Sequence, residues 1–133
     1  QLLEDYHGKI DSIIIYSVVQ YIFSTDYFIN FLDESMALLA PQGRLLIGDI
    51  PNLSMRKRFF ESESGIDSHH QYIGKNEPPP AELTSVEEGS IDDSEVLSMI
   101  TRARLAGMHA FVVPQASTLP MANRREDVLI IRP

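Results

Sequence analysis

The apolar residues of this chain fall into four short dense runs, separated by stretches whose apolar positions recur at a longer period. Ile10–Tyr16 (IDSIIIY) is rich in β-branched residues and too uniformly apolar for an amphipathic helix. It predicts a strand buried on both faces. It continues as Ser17-Val18-Val19-Gln20-Tyr21, where a loop or short turn is expected. Ser24-Thr25-Asp26 then offers an N-cap and a first-turn acid. Phe28, Phe31, Leu32, Met36 and Leu39 follow at spacings of three and four, which predicts an amphipathic helix stopped by Pro41-Gln42-Gly43. Arg44–Ile50 (RLLIGDI) reads as a second buried strand, ended by Pro51-Asn52.

The stretch Leu53–Gly89 breaks the pattern. One short helix is expected around Ser54–Glu61, then an irregular segment carrying His69-His70 and Pro78-Pro79-Pro80. A loop of ~20 residues inside a compact domain is uncommon unless it is functional or mobile, so 53–89 is an irregular insertion and a candidate substrate lid. Ser90-Ile91-Asp92-Asp93 resembles a capping box ahead of the apolar stripe Val96, Leu97, Ile100 and Ala103, with Gly107 as the stop. Ala110–Val113 and Val128–Ile131 complete the strands.

Strands alternating with helices imply crossover connections and a parallel sheet, hence the α/β class. The connection from Pro114 to Glu126 is too short for a comfortable crossover, so the last two strands should be antiparallel. At 133 residues the chain makes a single α/β domain able to bury a core.

Composition narrows the function classes. Cysteine is absent, which excludes disulfides, thiolate metal sites and cysteine nucleophiles. The net charge of −8 argues against nucleic acid as the partner. No apolar run approaches the ~20 residues of a membrane span, and no signal-type segment is present, so no membrane partner and a cytoplasmic location are expected.

The succession Lys9-Ile10-Asp11-Ser12-Ile13-Ile14, then Val18-Val19-Gln20-Tyr21, then a helix, then Leu38-Leu39-Ala40-Pro41-Gln42-Gly43-Arg44-Leu45-Leu46-Ile47-Gly48-Asp49 resembles the second half of a class I S-adenosylmethionine-dependent methyltransferase. In that family a "(F/I)D-x-I" strand runs into "V-x-x-(Y/H)", and an "L-L-x-P-G-G-x-L-x-I" turn and strand follow a helix. Gln42 stands where the first glycine of that turn is usual. The resemblance covers nearly the whole chain. It implies a partial Rossmann-like methyltransferase sheet holding family strands 4-5-7-6, with the last strand of the chain antiparallel. The N-terminal cofactor-binding half is lacking: no Gly-x-Gly-x-Gly occurs, and Gln1 falls between the family's third and fourth strands. The chain is therefore expected to be a fragment of a larger fold, with the cofactor S-adenosylmethionine bound by the intact protein, this chain alone lacking most of the cofactor site.

The resemblance places Tyr16, Ser17 and Val18 on the cofactor side and Gln20 and Tyr21 on the substrate side. Their bland reading is packing aromatics and loop residues. Asp49 and Asn52 end the second strand at the carboxyl edge, where open α/β sheets bind ligands. Asp49 is a candidate catalytic carboxylate, as orienting group or general base, or else caps the turn. Asn52 is a candidate substrate contact. His69 and His70 are candidate catalytic bases, or solvated histidines; no metal is expected from an adjacent pair. Arg56 and Arg58 could clamp a phosphate or carboxylate of the substrate, or form a solvated helix face. Arg124-Arg125 could face the same mouth or cap the last strand.

Two functions follow. One is methyl transfer to a small molecule, such as a sugar or nucleotide-sugar intermediate, by the intact protein, this chain alone being inactive. The other is a non-catalytic interaction domain, a homodimer pairing through strand Ile10–Tyr16, whose outer edge would be bare. A receiver or nucleotide-binding Rossmann-like domain would require a phosphate-binding turn that is not seen.

Overall fold

A computed structural model describes residues 1–23 and 27–133. The expected cap at Ser24-Thr25-Asp26 lies outside the described residues. In chain order the elements are α1 (Leu2–Tyr6), β1 (Ile10–Tyr16), α2 (Val19–Ile22), α3 (Phe28–Leu38), β2 (Leu39–Pro51), α4 (Leu53–Phe60), α5 (Glu63–Ile73), α6 (Ala81–Thr84), α7 (Asp93–Leu105), β3 (His109–Pro114) and β4 (Arg125–Ile131).

The four strands form one open mixed sheet in the order β1-β2-β4-β3. β1 and β2 are parallel, and β4 is antiparallel to both of its neighbours. This is the expected α/β class and a partial Rossmann-like arrangement, with the short β3–β4 connection giving the antiparallel pair.

Side chains alternate across the sheet. Aligned rows such as Ile13–Leu45–Ile130–Ala110 and Ile15–Ile47–Val128–Val112 run across the strands. With Leu32 and Met36 of α3 and Val96, Met99, Ile100 and Ala103 of α7, they build one core cluster, flanked by the partly exposed Ile13 and the edge residue Val112. A fully buried side chain such as Leu45 or Ile47 contributes about 1.5–3 kcal/mol. Met99, not the expected Leu97, faces that core; Leu97 is exposed. The helices thus cover one face. The alternate row, Ile14–Leu46–Leu129–Phe111, lies on the opposite face. There Ile14 is 71% exposed and Phe111 47%. This corrects the expectation for β1: it is an edge strand open on one face, because among the described residues no second helical layer covers its isoleucines.

Two local features depart from expectation. The segment after Glu61 is not irregular, since α5 spans Glu63–Ile73. Its start is fixed by Ser62, whose hydroxyl accepts from the Gly65 amide and donates to the Phe59 carbonyl. Gly65 lies so close to the end of α4 that a Cβ would sit 1.8 Å from the Phe59 oxygen. The second feature is the cap of α7, which is Asp92 and not Ser90; its carboxylate accepts from the Glu95 amide at 3.0 Å. The helix stops as expected at Gly107, with φ +86°.

Candidate functional site

β1 and β2 end side by side, with Tyr16 opposite Gly48. The next residues, Ser17 and Asp49, both have left-handed backbones, φ +57° and +59°. Such conformations cost of order 1–3 kcal/mol for ordinary residues and gather at functional sites. On the other side of β2 the pairing jumps from Ile47↔Val128 to Ile50↔Glu126. Gly48 and Asp49 together oppose Asp127, which makes a β-bulge that re-aims the Asp49 side chain. The Asp49 amide donates to the Asp127 carboxylate at 2.8 Å, securing the bulge.

The carboxylate of Asp49 is the centre of a network. Oδ2 accepts a short hydrogen bond from the Ser17 hydroxyl and an ion-paired bond from Arg125 at 2.8 Å. Oδ1 accepts from the Gln115 amide at 3.2 Å, and Gln115 also reaches Asp127. Burial pushes the Asp49 carboxyl up, but the bonds from Ser17 and Gln115 and the Arg125 charge outweigh it and hold it below the ordinary aspartate value. Asp49 is therefore an anchored carboxylate at neutral pH and a weak acceptor of protons. A cleft of about 260 Å³ opens over it, lined by Tyr16, Asp49, Gln115, Met121 and Arg125 among others. Tyr16 lies across Gly48, where a Cβ would come within 2.4 Å of its ring.

The remaining candidates are distributed around this edge. Val18 precedes α2 and is 41% exposed. Gln20, on α2, donates to the Ser17 carbonyl at 3.0 Å, and its buried Oε1 has no partner among the described residues. Tyr21 points into solvent at 76% exposure. Arg56 holds the end of α6 through the carbonyls of Glu82 and Ser85. Arg58 is engaged by Asp93 through both terminal nitrogens. His69 and His70 sit on α5, not on a mobile loop, and neighbours on a helix point about 100° apart. His69 packs edge-on against Phe60 in the wall of a second cavity.

Asn52 requires a correction. It is 1% exposed, and its side chain is fully occupied within the fold. Oδ1 caps α4 by accepting from the Ser54 and Met55 amides, while Nδ2 donates to Asp93 and Glu126 at 2.8 and 2.7 Å. A buried amide that ties α4, α7 and β4 together has no atom left for a substrate.

Gln115 and Asp127 were not among the expected site residues, and Arg125 was left without an assigned place. The charged run Arg124–Asp127 just before an apolar strand is a visible signal, but the bulge that sets its register against Asp49 is not.

For S-adenosylmethionine, the residues present fit one side of the molecule only. Tyr16 and Val18 offer an exposed wall at the carboxyl edge. The close backbone approach that a glycine-rich turn provides has no counterpart in this sequence. Among the described residues no helix is long and apolar enough to cross a membrane.

No family model matches the chain. Two known proteins share short segments with it. Chondramide synthase from Chondromyces crocatus is 38% identical over 55 residues, 41% of this chain and 1% of the synthase. The nonribosomal peptide synthetase CymA from Salinispora arenicola is 50% identical over 40 residues, 30% of this chain. The matched segments thus amount to about 1% or less of the length of these relatives.

Proposed function

We propose that this chain is the second half of an S-adenosylmethionine-dependent methyltransferase domain acting on a small molecule, and that it is inactive without the first half. The observation that carries this reading is the sheet: order β1-β2-β4-β3, with β4 alone reversed, and a strained, hydrogen-bonded Ser17–Asp49 pair at the carboxyl edge of its parallel strands. The short matches to two biosynthetic synthetases support the same reading, since synthetases of that kind can contain methyltransferase domains.

S-adenosylmethionine would supply an activated methyl group, so alignment of the acceptor provides much of the rate. The roles left to this chain are positional. Tyr16, Ser17 and Val18 form the cofactor-side wall. Asp49, kept ionised by Arg125 and Gln115, orients groups at the cleft instead of removing a proton. Helices α4–α6 form a helical cover beside the edge, the part first expected of an irregular lid.

The test is calorimetry with S-adenosylmethionine on this chain and on a longer polypeptide read from the genomic sequence around it. The upstream sequence is expected to contain a Gly-x-Gly-x-Gly turn after a strand. Binding is expected only when that segment is included, and it should weaken on Ser17→Val. A reading frame without such a turn, or no binding by the longer polypeptide, overturns the reading.

A second reading is favoured by the edge position of β1 and the exposure of Ile14. An unpaired apolar edge is a template for another strand, and two copies would pair there as a homodimer. A monomer in sedimentation at tens of micromolar removes this reading.

A further inference from the structure

A second cavity, of about 510 Å³, lies beside the Asp49 cleft, with Phe60, His69, Tyr72, Leu83, Met121 and Arg124 in its walls. Its size is that of a small-molecule site. Pro120 and Met121 line both this cavity and the cleft over Asp49, so one short stretch of the β3–β4 connection separates them.

Arg124 is the unusual residue in this wall. Its guanidinium rests over the Phe60 ring, 5.0 Å from the centroid. Among the described residues its one hydrogen bond to a side chain is from Nε to the neighbouring Asn123 at 3.2 Å. Its backbone is fixed at the sheet edge, where its carbonyl accepts from the Asn52 amide and its own amide donates to Met121. Among the described residues it ion-pairs with no carboxylate, whereas Arg58, Arg102 and Arg125 each do. Burial, then the charges of Arg56 and Arg125, make its positive charge less favourable than usual. A half-buried cation facing two others, in a protein with a net charge of −8, is poorly compensated by one aromatic ring. Arg56 and Arg125 add to this, each leaving a buried Nε without a partner.

We propose that this cavity binds a small organic anion, its carboxylate or phosphate held by Arg124 and its aromatic or aliphatic body lying against Phe60, Tyr72, Leu83 and Met121. That the anion is the methyl acceptor, reaching across Pro120-Met121 toward Asp49, rests on the methyl-transfer reading. The anion site itself does not.

The experiment is amide NMR on the 133-residue chain without S-adenosylmethionine, titrated with phenylacetate, phenyl phosphate and neutral benzyl alcohol. Both anions are expected to shift the amides of Phe60, Tyr72 and Asn123 saturably, and at least about tenfold more tightly than benzyl alcohol. The tighter of the two anions identifies the head group. Arg124→Met should reduce the anions to the level of benzyl alcohol, and Arg124→Lys should restore part of the difference. Arg58→Met should leave the anion affinities unchanged, because Arg58 is engaged by Asp93 and does not line the cavity. Equal binding of anions and alcohol, absence of saturable shifts, or anion affinity unchanged in Arg124→Met overturns the proposal. Should Arg124→Met fail to fold, the anion-to-alcohol ratio in the unaltered chain and in Arg124→Lys still decides. A negative result here leaves methyl transfer standing, and failure of S-adenosylmethionine binding leaves the anion site standing.

Discussion

Replacing Asn52 by alanine separates a structural corner from a ligand contact. The side chain makes four hydrogen bonds to three elements while 1% exposed. Loss of the α4 cap costs about 1 kcal/mol. The two bonds to Asp93 and Glu126 are charge-assisted, but the Asp93 side chain is 45% exposed and keeps Arg58 as a partner. The value of an ordinary hydrogen bond, about 1 kcal/mol each, therefore applies. Asn52→Ala should destabilise the chain by about 3 kcal/mol in all, which with a slope of about 1.5 kcal/mol/M lowers the urea midpoint by about 2 M. Asn52→Asp provides the sharper comparison. It retains the cap acceptor, loses both donors and sets a third carboxylate against Asp93 and Glu126. It should be at least as destabilising at neutral pH and recover relative to the parent as these carboxylates protonate. Circular dichroism during urea titration at the two pH values reads both effects. If Asn52→Ala stays within about 0.5 kcal/mol of the parent, the corner is not what holds α4, α7 and β4 together, and the amide is free for a ligand.

Three further outcomes are expected. Asp49 has its folded pKa held below the ordinary value, so its contribution is complete above the unfolded value near 4 and is lost as pH falls through the lower folded one. Asp49→Asn should therefore lose about 1–2 kcal/mol at neutral pH and converge on the parent in acid, as read by urea titration. Gly48→Ala should fold but displace the Tyr16 ring, seen as shifted aromatic NMR signals, because the new methyl falls 2.4 Å from that ring. Gln42 has φ +64°, so Gln42→Gly should raise stability by about 0.5–1 kcal/mol in the same assay.

How much was legible follows from what each pattern encodes. The strands could be read because short, uniformly apolar runs such as the β-branched Ile10–Tyr16 and the leucine- and isoleucine-rich Arg44–Ile50 lack helical periodicity, and β1 matches its expected bounds. The antiparallel pairing of β3 and β4 could be read because a short connection permits only an antiparallel neighbour, while the strand order came from the family resemblance. Burial of β1 could not, since apolar composition states what a strand could bury against and not whether the covering layer is in the same chain. Helix α5 was missed because ESGIDSHHQYI has sparse apolar positions; it is held by the Ser62 cap and the close approach of Gly65 to α4. Asp49 was visible as an acid at a strand end. Its partners Arg125 and Gln115 come from 66 and more positions away through a bulge that leaves no mark in composition. Asn52 was misread because a short polar residue between a strand and a helix suits a ligand contact and a helix cap equally. The four-way bonding that decides the matter belongs to the tertiary structure.

The placement of β4 also constrains the order in which the molecule can be assembled. β4 is the last of the four strands in chain order, yet it lies inside the sheet, between β2 and β3. Until it leaves the ribosome, β2 has a partner on one edge only and β3 has none, although α7 can already pack on the existing helices. Synthesis runs at about 5–20 residues per second, so the nascent chain exposes the inner edge of β2 for seconds before Val128 and Ile130 fill the middle of the core. Folding of this unit is thus a closing step made by the strand that joins its two parts. A pause or truncation just before Arg125 should leave the β1–β2 pair and an unpaired β3, not the four-stranded sheet.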